Sequence, residues 1–339
     1  TAAPVVSCSL FECGDGQFKV VNAESTVCNN GECNANDCCA DSFAVVRPFF
    51  AGDADDLVDS FERWDAFPPC ELNEDGKPIA KGLPVDMVLY FARDITASEN
   101  EDVEAKMQAI KDTSSDTSDW RKCFGKITVL GGNLTAYEDQ YHTRMEEASW
   151  NRGPNVQFYK IVKYVGEHLS TNIFYYMEGD NVPLANKWLD ALTREIETSR
   201  PLSVNGGRYT GHNWNNYPGD SIIAPSLRYH LNGNGVYDVS HHLLQSALLE
   251  YENDGWAEKY HSSFDVYLSE VLMDERNVPL DKLEDAGHDY KQSAVLTNFA
   301  ATLTLPQDIP AAAQVVHGAV YLQNWPSPTC PRLHDASWF

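Results

Sequence analysis

The stretch NIFYYMEGDNVPLANKWLDAL, residues 172–192, contains the pattern that best indicates the fold of this chain. Its apolar, aromatic run ends abruptly in Glu178-Gly179-Asp180, and Pro183 and a helical pattern follow. Two carboxylates that lie two residues apart at the end of a buried strand can present their oxygens to one hard cation. The alternative is a solvated strand end before a turn, because acidic pairs also arise by chance in a chain with 50 acidic residues.

Strand and helix patterns alternate around this stretch. Alternation of this kind predicts an α/β fold, a mostly parallel sheet flanked by helices on both faces. Pro154 and Pro183 each suit the first turn of a predicted helix. Ligands of such sheets bind at the carboxyl ends of the strands, where Glu178 and Asp180 are expected to lie. The predicted strands are residues 85–94, 125–135 and 173–177, and the predicted helices are residues 54–64, 100–112, 153–168 and 183–197.

The cysteines divide the chain into two parts. Six of the nine lie in the first 39 residues, in a segment with almost no aliphatic core. This density predicts a disulfide-rich module of residues 1–42 in an oxidising compartment, followed by one α/β domain of residues 43–339. A zinc site is the weaker alternative, because the segment has no Cys-x-x-Cys motif and no nearby His. The six are Cys8, Cys13, Cys28, Cys33, Cys38 and Cys39.

Cys70, Cys123 and Cys330 remain, so that one cysteine is left over unless it pairs with the module or with another chain.

The charge of the chain excludes several partners. With 50 acidic and 25 basic residues, the formal net charge is −25. Nucleic-acid binding needs a basic footprint, and attraction to anionic lipid needs basic clusters, so neither partner is expected. No apolar run approaches the length of a membrane span, so we expect no membrane insertion.

The compartment is expected to be the lumen of the secretory pathway or the extracellular space. The sequence opens with Thr-Ala-Ala-Pro and no Met, which we interpret as a mature chain whose signal peptide was removed. Asn133 opens the acceptor motif Asn-Leu-Thr and is predicted to carry an N-linked glycan, so that we expect a glycoprotein.

Further candidate residues lie in the segment 203–239, which is rich in Gly, Asn and aromatic residues and is predicted to be a functional loop. Asn232, Gly233 and Asn234 form either a tight turn or a backbone-lined cradle for sugar hydroxyls. Asp220 and Asp238 are alternative general bases for an inverting transfer, and a retaining mechanism would need neither.

The order of these motifs resembles that of the GT-A-fold glycosyltransferases. In that family a strand ends in a metal-binding Asp-x-Asp motif, and an apolar or Pro turn and a Trp-containing helix follow, as in residues 172–192. Residues 228–238 resemble an acceptor-side segment of some members, and His317 in Val-Val-His-Gly is similar to a late metal-binding His. The resemblance covers residues 85–320 and implies a GT-A-like (Rossmann-like) sheet. The chain departs from the family pattern at Glu178, where Asp is usual.

The resemblance also implies an activity: metal-dependent transfer of a sugar from a nucleotide-sugar donor to a glycan or protein acceptor, with Mn²⁺ or Mg²⁺ as cofactor. By this resemblance, Asp180 and His317 bind the metal, and Glu178 contacts the ribose or a metal-bound water. Arg93 and Asp94 then lie near the nucleotide base.

A second hypothesis comes from the cysteine-rich amino terminus, the extreme charge and the leftover cysteine. These features suit a non-catalytic secreted protein, structural or carbohydrate-binding, that self-associates on a glycosyltransferase-like scaffold. We favour the enzyme, because the order of the motifs supports it.

Overall fold

The structure is a computed structural model. It describes residues 17–19, 39–41, 43–80, 82–140, 152–169, 171–208, 230–253, 263–274, 289–298 and 312–317. In these ranges, no helix has the length and apolar character needed to cross a membrane.

Strands and helices alternate through most of the described chain. The strands are β1 (Gln17–Lys19), β2 (Cys39–Asp41), β3 (Phe43–Phe49), β4 (Val85–Phe91), β5 (Phe124–Gly131), β6 (Ile173–Tyr176), β7 (Val182–Pro183), β8 (Val204–Arg208), β9 (Leu231–Asp238), β10 (Tyr290–Gln292), β11 (Leu296–Asn298) and β12 (Val315–His317). The helices are α1 (Ala54–Ala66), α2 (Glu101–Lys111), α3 (Asp119–Lys122), α4 (Arg152–His168), α5 (Trp188–Ser199), α6 (His242–Asn253) and α7 (Phe264–Asp274).

The main sheet in the described residues has the strand order β10-β8-β9-β6-β3-β4-β5. β3 pairs in parallel with both β4 and β6, and β4 pairs in parallel with β5, whereas β9 runs antiparallel to β6 and β8. The mostly parallel α/β sheet predicted from the sequence is therefore confirmed. We call the edge where β3, β4, β5 and β6 end the carboxyl edge, and the opposite one the amino edge.

The chain reverses direction across this sheet beside β3. It passes from β3 to β4 and β5 on one side, and then returns to β6 on the other side of β3. In open α/β sheets, such a switch point opens a crevice at the carboxyl ends of the two strands, and ligands bind there. The end of β3 and the end of β6 therefore form the first place to search for a site.

The central strand β3 is missing from the sequence-based prediction. All seven of its residues are buried, but Arg47 and Pro48 interrupt the apolar pattern by which a buried strand is recognised. Pro48 lies beyond Val46, the last β3 residue in register with β6, so the main-chain pairing on that side has already ended. Glu178 and Asp180 therefore follow the fourth core strand in chain order, and not the third.

Two further predictions are wrong in detail. The helix predicted from Pro183 begins instead at Trp188, because Val182 and Pro183 form β7 and pair with β12. The segment expected to be a loop contains the strands β8 and β9, and its residues 209–229 lie outside the described ranges.

Both faces of the sheet are covered, because side chains of β3 alternate between two clusters. Val45 and Phe49 pack with α1, α2 and α5, in a cluster that includes Trp64. Ala44 and Val46 pack against α4 and α7 on the other face, where the Phe158 and Phe264 rings stack with centroids 3.9 Å apart.

A disulfide joins Cys70, after α1, to Cys123, after α3, with their Cα atoms 5.7 Å apart. Two of the three cysteines outside the amino-terminal segment are thereby paired, and Cys330 lies outside the described ranges. Of the cysteines predicted to form the amino-terminal module, the structure describes only the backbone of Cys39, in β2. The module of residues 1–42 and its disulfides remain a prediction.

Candidate metal centre

The side chains of Glu178, Asp180 and His317 converge at the carboxyl edge, next to the switch point. His317 Nε2 lies 2.7 Å from Glu178 Oε2 and 3.2 Å from Asp180 Oδ1. One ligand atom from each residue lies within 4.8 Å of the other two. The sequence places His317 137 residues after Asp180 (317 − 180). The two residues meet because β12 pairs with β7, which begins two residues after Asp180.

A buried hydrogen-bond network holds the acidic turn. The backbone N–H and side-chain Nδ2 of Asn181 donate to the Glu178 carbonyl oxygen at 3.2 and 2.9 Å. Tyr175, near the end of β6, donates its hydroxyl to Asn181 Oδ1 at 3.4 Å. Asn181 is buried, so the carboxylates on either side of Gly179 are presented from a fixed backbone.

Asn298 orients His317 from the neighbouring strand. β11 and β12 are parallel and place the two residues in register, with His317 Nδ1 3.0 Å from Asn298 Oδ1. An amide oxygen can only accept, so Nδ1 carries the proton and Nε2 faces the carboxylates. Partners of this kind fix the ring of a metal-binding His in many proteins.

The electrostatics of the cluster favour a positive charge. Burial lowers the pKa of His317, but the charges of Asp180 and Glu178 and their hydrogen bonds outweigh it, so that the pKa lies well above its ordinary value. The imidazolium ion thus neutralises part of the acidic charge in the absence of another cation.

Asp53 is a third acidic group near the cluster, and it was not predicted from the sequence. It lies in the short 3-10 turn Ala51–Asp53 after β3. Burial, together with the negative charges of Asp180 and Asp56, raises the pKa of Asp53 to about 7. The available signal was a carboxylate just past a strand end, but it could be used only if β3 had been recognised.

The donor set suits a divalent cation. Carboxylate oxygens are the preferred ligands of Mg²⁺ and Mn²⁺, and imidazole nitrogen is a common ligand of transition metals. Three protein donors leave coordination positions for water or a phosphate oxygen. The three residues therefore fit a cation that a nucleotide could share.

The amino-terminal half of β9 also lies at the carboxyl edge, because β9 runs antiparallel to β6. Asn234 hydrogen-bonds with Tyr175, one strand away, and so contributes to the base of the cluster. Gly233 donates its N–H to Asp265 Oδ2 at 3.0 Å, and a Cβ atom there would lie 2.6 Å from the Phe264 ring. Asn232 belongs to the same strand. The three residues therefore lie in a strand and not in a tight turn, and their contact with sugar hydroxyls remains a prediction.

Arg93 and Asp94 follow β4 at the same edge, but β3 separates β4 from β6. Arg93 Nε donates to Asp139 Oδ2. Asp94 Oδ1 accepts from the Thr96 hydroxyl at 2.8 Å and the Thr96 N–H at 2.9 Å, and these bonds lower the pKa of Asp94. Neither residue is part of the cluster, and their proposed contact with a nucleotide base remains a prediction.

The two candidate general bases have different outcomes. Asp220 lies outside the described ranges. Asp238 pairs with Ile173, the first residue of β6, and so lies at the amino edge, where its Oδ1 accepts from the N–H and hydroxyl of Ser240 at 2.9 and 2.6 Å. Asp238 therefore lies at the opposite edge of the sheet from the cluster, and its role as a general base remains a prediction.

Asn133 is exposed just past the end of β5, with a backbone φ of 53°. Left-handed backbone of this kind is more common for Asn than for most residues. The acceptor motif is accessible, and the glycan itself remains a prediction.

Comparison with known proteins gives matches only among solved structures. No protein-family model matches the chain, and no curated protein matches it in sequence. Mouse xyloside xylosyltransferase 1 in its apo form is 11% identical, with 82% of this chain and 97% of that chain covered and a TM-score of 0.43. The galactosyltransferase LgtC with donor and acceptor sugar analogues is 13% identical, with 82% and 87% covered and a TM-score of 0.43. The mannosyltransferase Ktr4p of S. cerevisiae with GDP is 7% identical, with 68% and 66% covered and a TM-score of 0.38.

All three proteins are glycosyltransferases. At these identities the likeness concerns the fold alone, and the chemistry has to be inferred from the residues of this chain.

Proposed function

We propose that this chain is a metal-dependent glycosyltransferase that moves a sugar from a nucleotide-sugar donor to a glycan or protein acceptor. The observation that carries the proposal is the convergence of Glu178, Asp180 and His317 at the switch point of a mostly parallel sheet. The position where open α/β sheets bind ligands and a set of possible cation ligands coincide there, and the combination suits a substrate that contains phosphate.

A bound Mn²⁺ or Mg²⁺ ion would supply positive charge to the diphosphate that leaves the sugar. Asp180 and His317 are the proposed ligands, and Asn298 holds His317 in the orientation that ligation requires. Glu178 is close enough to share the ion, or it accepts from a ribose hydroxyl or a metal-bound water.

Calorimetric titration tests the proposal. Mn²⁺ is titrated into the wild-type chain first, and UDP and GDP are then titrated in the presence of saturating Mn²⁺. Asp180→Asn removes one charged ligand with almost no change in volume, and we expect it to weaken Mn²⁺ binding by about 100-fold. Asp238→Asn is the matched control, because the same substitution is made at the amino edge; its Mn²⁺ affinity is expected to be unchanged.

The competing function is a non-catalytic secreted protein, structural or carbohydrate-binding. It is favoured by the ion pairs of His317, which neutralise acidic charge without a metal. Such a chain would bind neither Mn²⁺ nor a nucleotide in the same titrations. Self-association in sedimentation velocity, with the cluster residues protected from hydrogen exchange, would add to the case for it.

We place the protein in the secretory pathway or outside the cell. The Cys70–Cys123 disulfide and the exposed acceptor motif at Asn133 support this compartment. Mass spectrometry of the chain from its native source, before and after enzymatic removal of N-glycans, tests the proposal. A reduced Cys70–Cys123 pair together with an unmodified Asn133 would contradict it.

A further inference from the structure

A buried arginine lies beneath the candidate metal centre. Arg47 occupies the central strand β3 and is completely buried. Its guanidinium extends towards α1, where Cζ lies 5.4 Å from the centroids of both the Phe61 and Trp64 rings. Arg47 also contacts the backbone of the acidic turn.

The hydrogen-bond partners of Arg47 are uncharged in the described part of the chain. Nη1 donates to the Ser60 hydroxyl at 2.8 Å, and that hydroxyl donates to the Leu57 carbonyl oxygen at 2.6 Å. Nη2 donates to the Glu178 carbonyl oxygen at 3.3 Å, and the buried Nε atom has no hydrogen-bond partner. The guanidinium is thus held by dipoles and aromatic faces, and one of its bonds reaches the residue that carries a proposed ligand.

Burial of a charge without an ion pair costs free energy, because the charge loses its hydration. Burial lowers the pKa of Arg47 to about 10, while Tyr175 and Asp180 act in the opposite direction, so the side chain remains charged at neutral pH. Packing between α1 and the sheet would be served at lower cost by an apolar side chain of similar volume. The retained charge therefore points to an electrostatic role towards the acidic turn.

We propose that Arg47 is a positioning residue that tunes the metal centre towards the complex of a divalent cation with a diphosphate and away from the bare cation. This inference rests on the function proposed above. A fixed positive charge repels a bare dication, but it attracts the same cation once a diphosphate has made the complex negative. Burial strengthens both effects, because the low-dielectric interior screens little.

The bond to the Glu178 carbonyl adds a second effect. It fixes the start of the acidic turn from below, while Asn181 fixes the same carbonyl from within the turn. Loss of the guanidinium therefore removes one anchor, but the two hydrogen bonds from Asn181 keep the turn in place.

The test compares two titrations in the full chain. Mn²⁺ is titrated alone, and inorganic pyrophosphate, the group common to nucleoside diphosphates, is then titrated in the presence of saturating Mn²⁺. For Arg47→Met, we expect bare Mn²⁺ to bind about 3-fold to 10-fold more tightly and pyrophosphate about 10-fold more weakly. Arg47→Lys keeps the charge, and we expect both affinities to stay within about 3-fold of the wild type.

Opposite changes in the two affinities separate this role from a structural one. A merely structural loss would weaken both, and a fall of both affinities in Arg47→Met would overturn the inference. Ser60→Ala serves as the control for local disruption, because it removes the hydroxyl that accepts from Arg47 and donates to Leu57, and leaves the charge. It should change both affinities little.

Further outcomes distinguish the inference from the proposed function. If the wild type binds no Mn²⁺, the proposed function fails. If Mn²⁺ binding is lost in Asp180→Asn but Arg47→Met behaves like the wild type, the function stands and the inference fails. Arg47→Gln replaces the methionine variant if the latter does not fold, as judged by circular dichroism. If neither neutral variant folds, Arg47 is required for folding and the inference is overturned.

Discussion

Histidine–carboxylate pairs lie at both edges of the sheet, and they differ in the number of acidic groups that meet the imidazole. At the carboxyl edge, His317 Nε2 faces both Glu178 and Asp180, at 2.7 and 3.2 Å. At the amino edge, His241 Nε2 lies 2.6 Å from Asp289 Oδ2. Both imidazoles are largely buried, so burial alone does not distinguish the two pairs.

The amino-edge pair closes a structural connection. Asp289 precedes β10, and its backbone carbonyl oxygen accepts from the N–H and the hydroxyl of Ser203 at 2.5 and 3.0 Å. His241 follows β9 and donates its N–H to the Asp238 carbonyl oxygen. The pair therefore joins the chain after β9 to the starts of β8 and β10, with one acidic partner for the imidazole among its described contacts.

The carboxyl-edge pair has more acidic charge than one imidazole can balance. Asp53 adds a further carboxyl group, and the buried guanidinium of Arg47 lies below it. A His–acid contact by itself is therefore weak evidence of a functional site. An excess of converging acidic groups at a switch point is the stronger signal.

Substituting each imidazole in turn tests the difference between the two edges most directly. We expect His317→Gln to weaken Mn²⁺ binding by about 100-fold, because it removes a ligand atom from a set of three. His241→Gln should leave Mn²⁺ affinity within about 2-fold and lower the free energy of unfolding by about 1 kcal/mol, the scale of one lost hydrogen bond. Calorimetry and urea denaturation provide the two measurements. Equal loss of Mn²⁺ affinity in both variants would remove the distinction between the edges.

A smaller effect is expected at Asn298, which bonds to Nδ1 of His317. Among the described contacts of His241, no side chain takes the same position. Asn298→Leu keeps the branching and the number of heavy atoms of the side chain, and it removes the acceptor of the His317 Nδ1–H bond. The ring then turns more freely, and we expect Mn²⁺ to bind about 10-fold more weakly.

Thr297→Ser, one residue earlier in β11, is the control for changes in the strand. If Asn298→Leu binds Mn²⁺ like the wild type, Asn298 does not orient the ligand.

The raised pKa of Asp53 leads us to expect that the stability of the metal-free chain depends on pH. Its pKa is about 7 in the folded chain, above its ordinary value for an unfolded one, so folding favours the protonated form. The stabilising contribution is complete below the unfolded pKa and is lost as the pH rises through about 7. Asp53→Asn removes this loss. We expect the substitution to raise the free energy of unfolding by at least about 1 kcal/mol at pH 8 and to change it little at pH 4.

Urea denaturation at the two pH values measures the effect. Asp59→Asn, an exposed carboxylate of α1, is the control. A gain of the same size at both pH values would show that Asp53 does not titrate in this range.

The sequence predicted the parts of the fold and site that depend on local pattern. The apolar run before Glu178 predicted β6, and the order of motifs associated His317 with Asp180 across a long separation. What it missed depends on pairing between distant strands. β3 was hidden by Arg47 and Pro48, whose environments are set by α1 and by the register with β6.

The other errors have the same origin. Asp53 was overlooked because the strand that places it was not recognised. The position of Asp238 at the amino edge was not predicted, because the antiparallel register of β9 is not encoded in local periodicity. Asn298 lies in the three-residue strand β11, which is too short to show a period.

The smallest effect is expected at Gly179, between the two carboxylates. A substitution there tests whether the cation needs the space above the backbone of the acidic turn. A Cβ atom there would meet no atom of the described residues within 4 Å, and the backbone φ is not in the left-handed region. We therefore expect Gly179→Ala to leave the free energy of unfolding within about 0.5 kcal/mol, as is usual for surface substitutions, and Mn²⁺ affinity within about 2-fold. Gly233→Ala is the contrast, because its Cβ atom would lie 2.6 Å from the Phe264 ring and should destabilise the fold by about 1 to 3 kcal/mol. A large loss of Mn²⁺ affinity in Gly179→Ala, with stability unchanged, would mean that the open space above Gly179 is needed by the bound cation or its ligands.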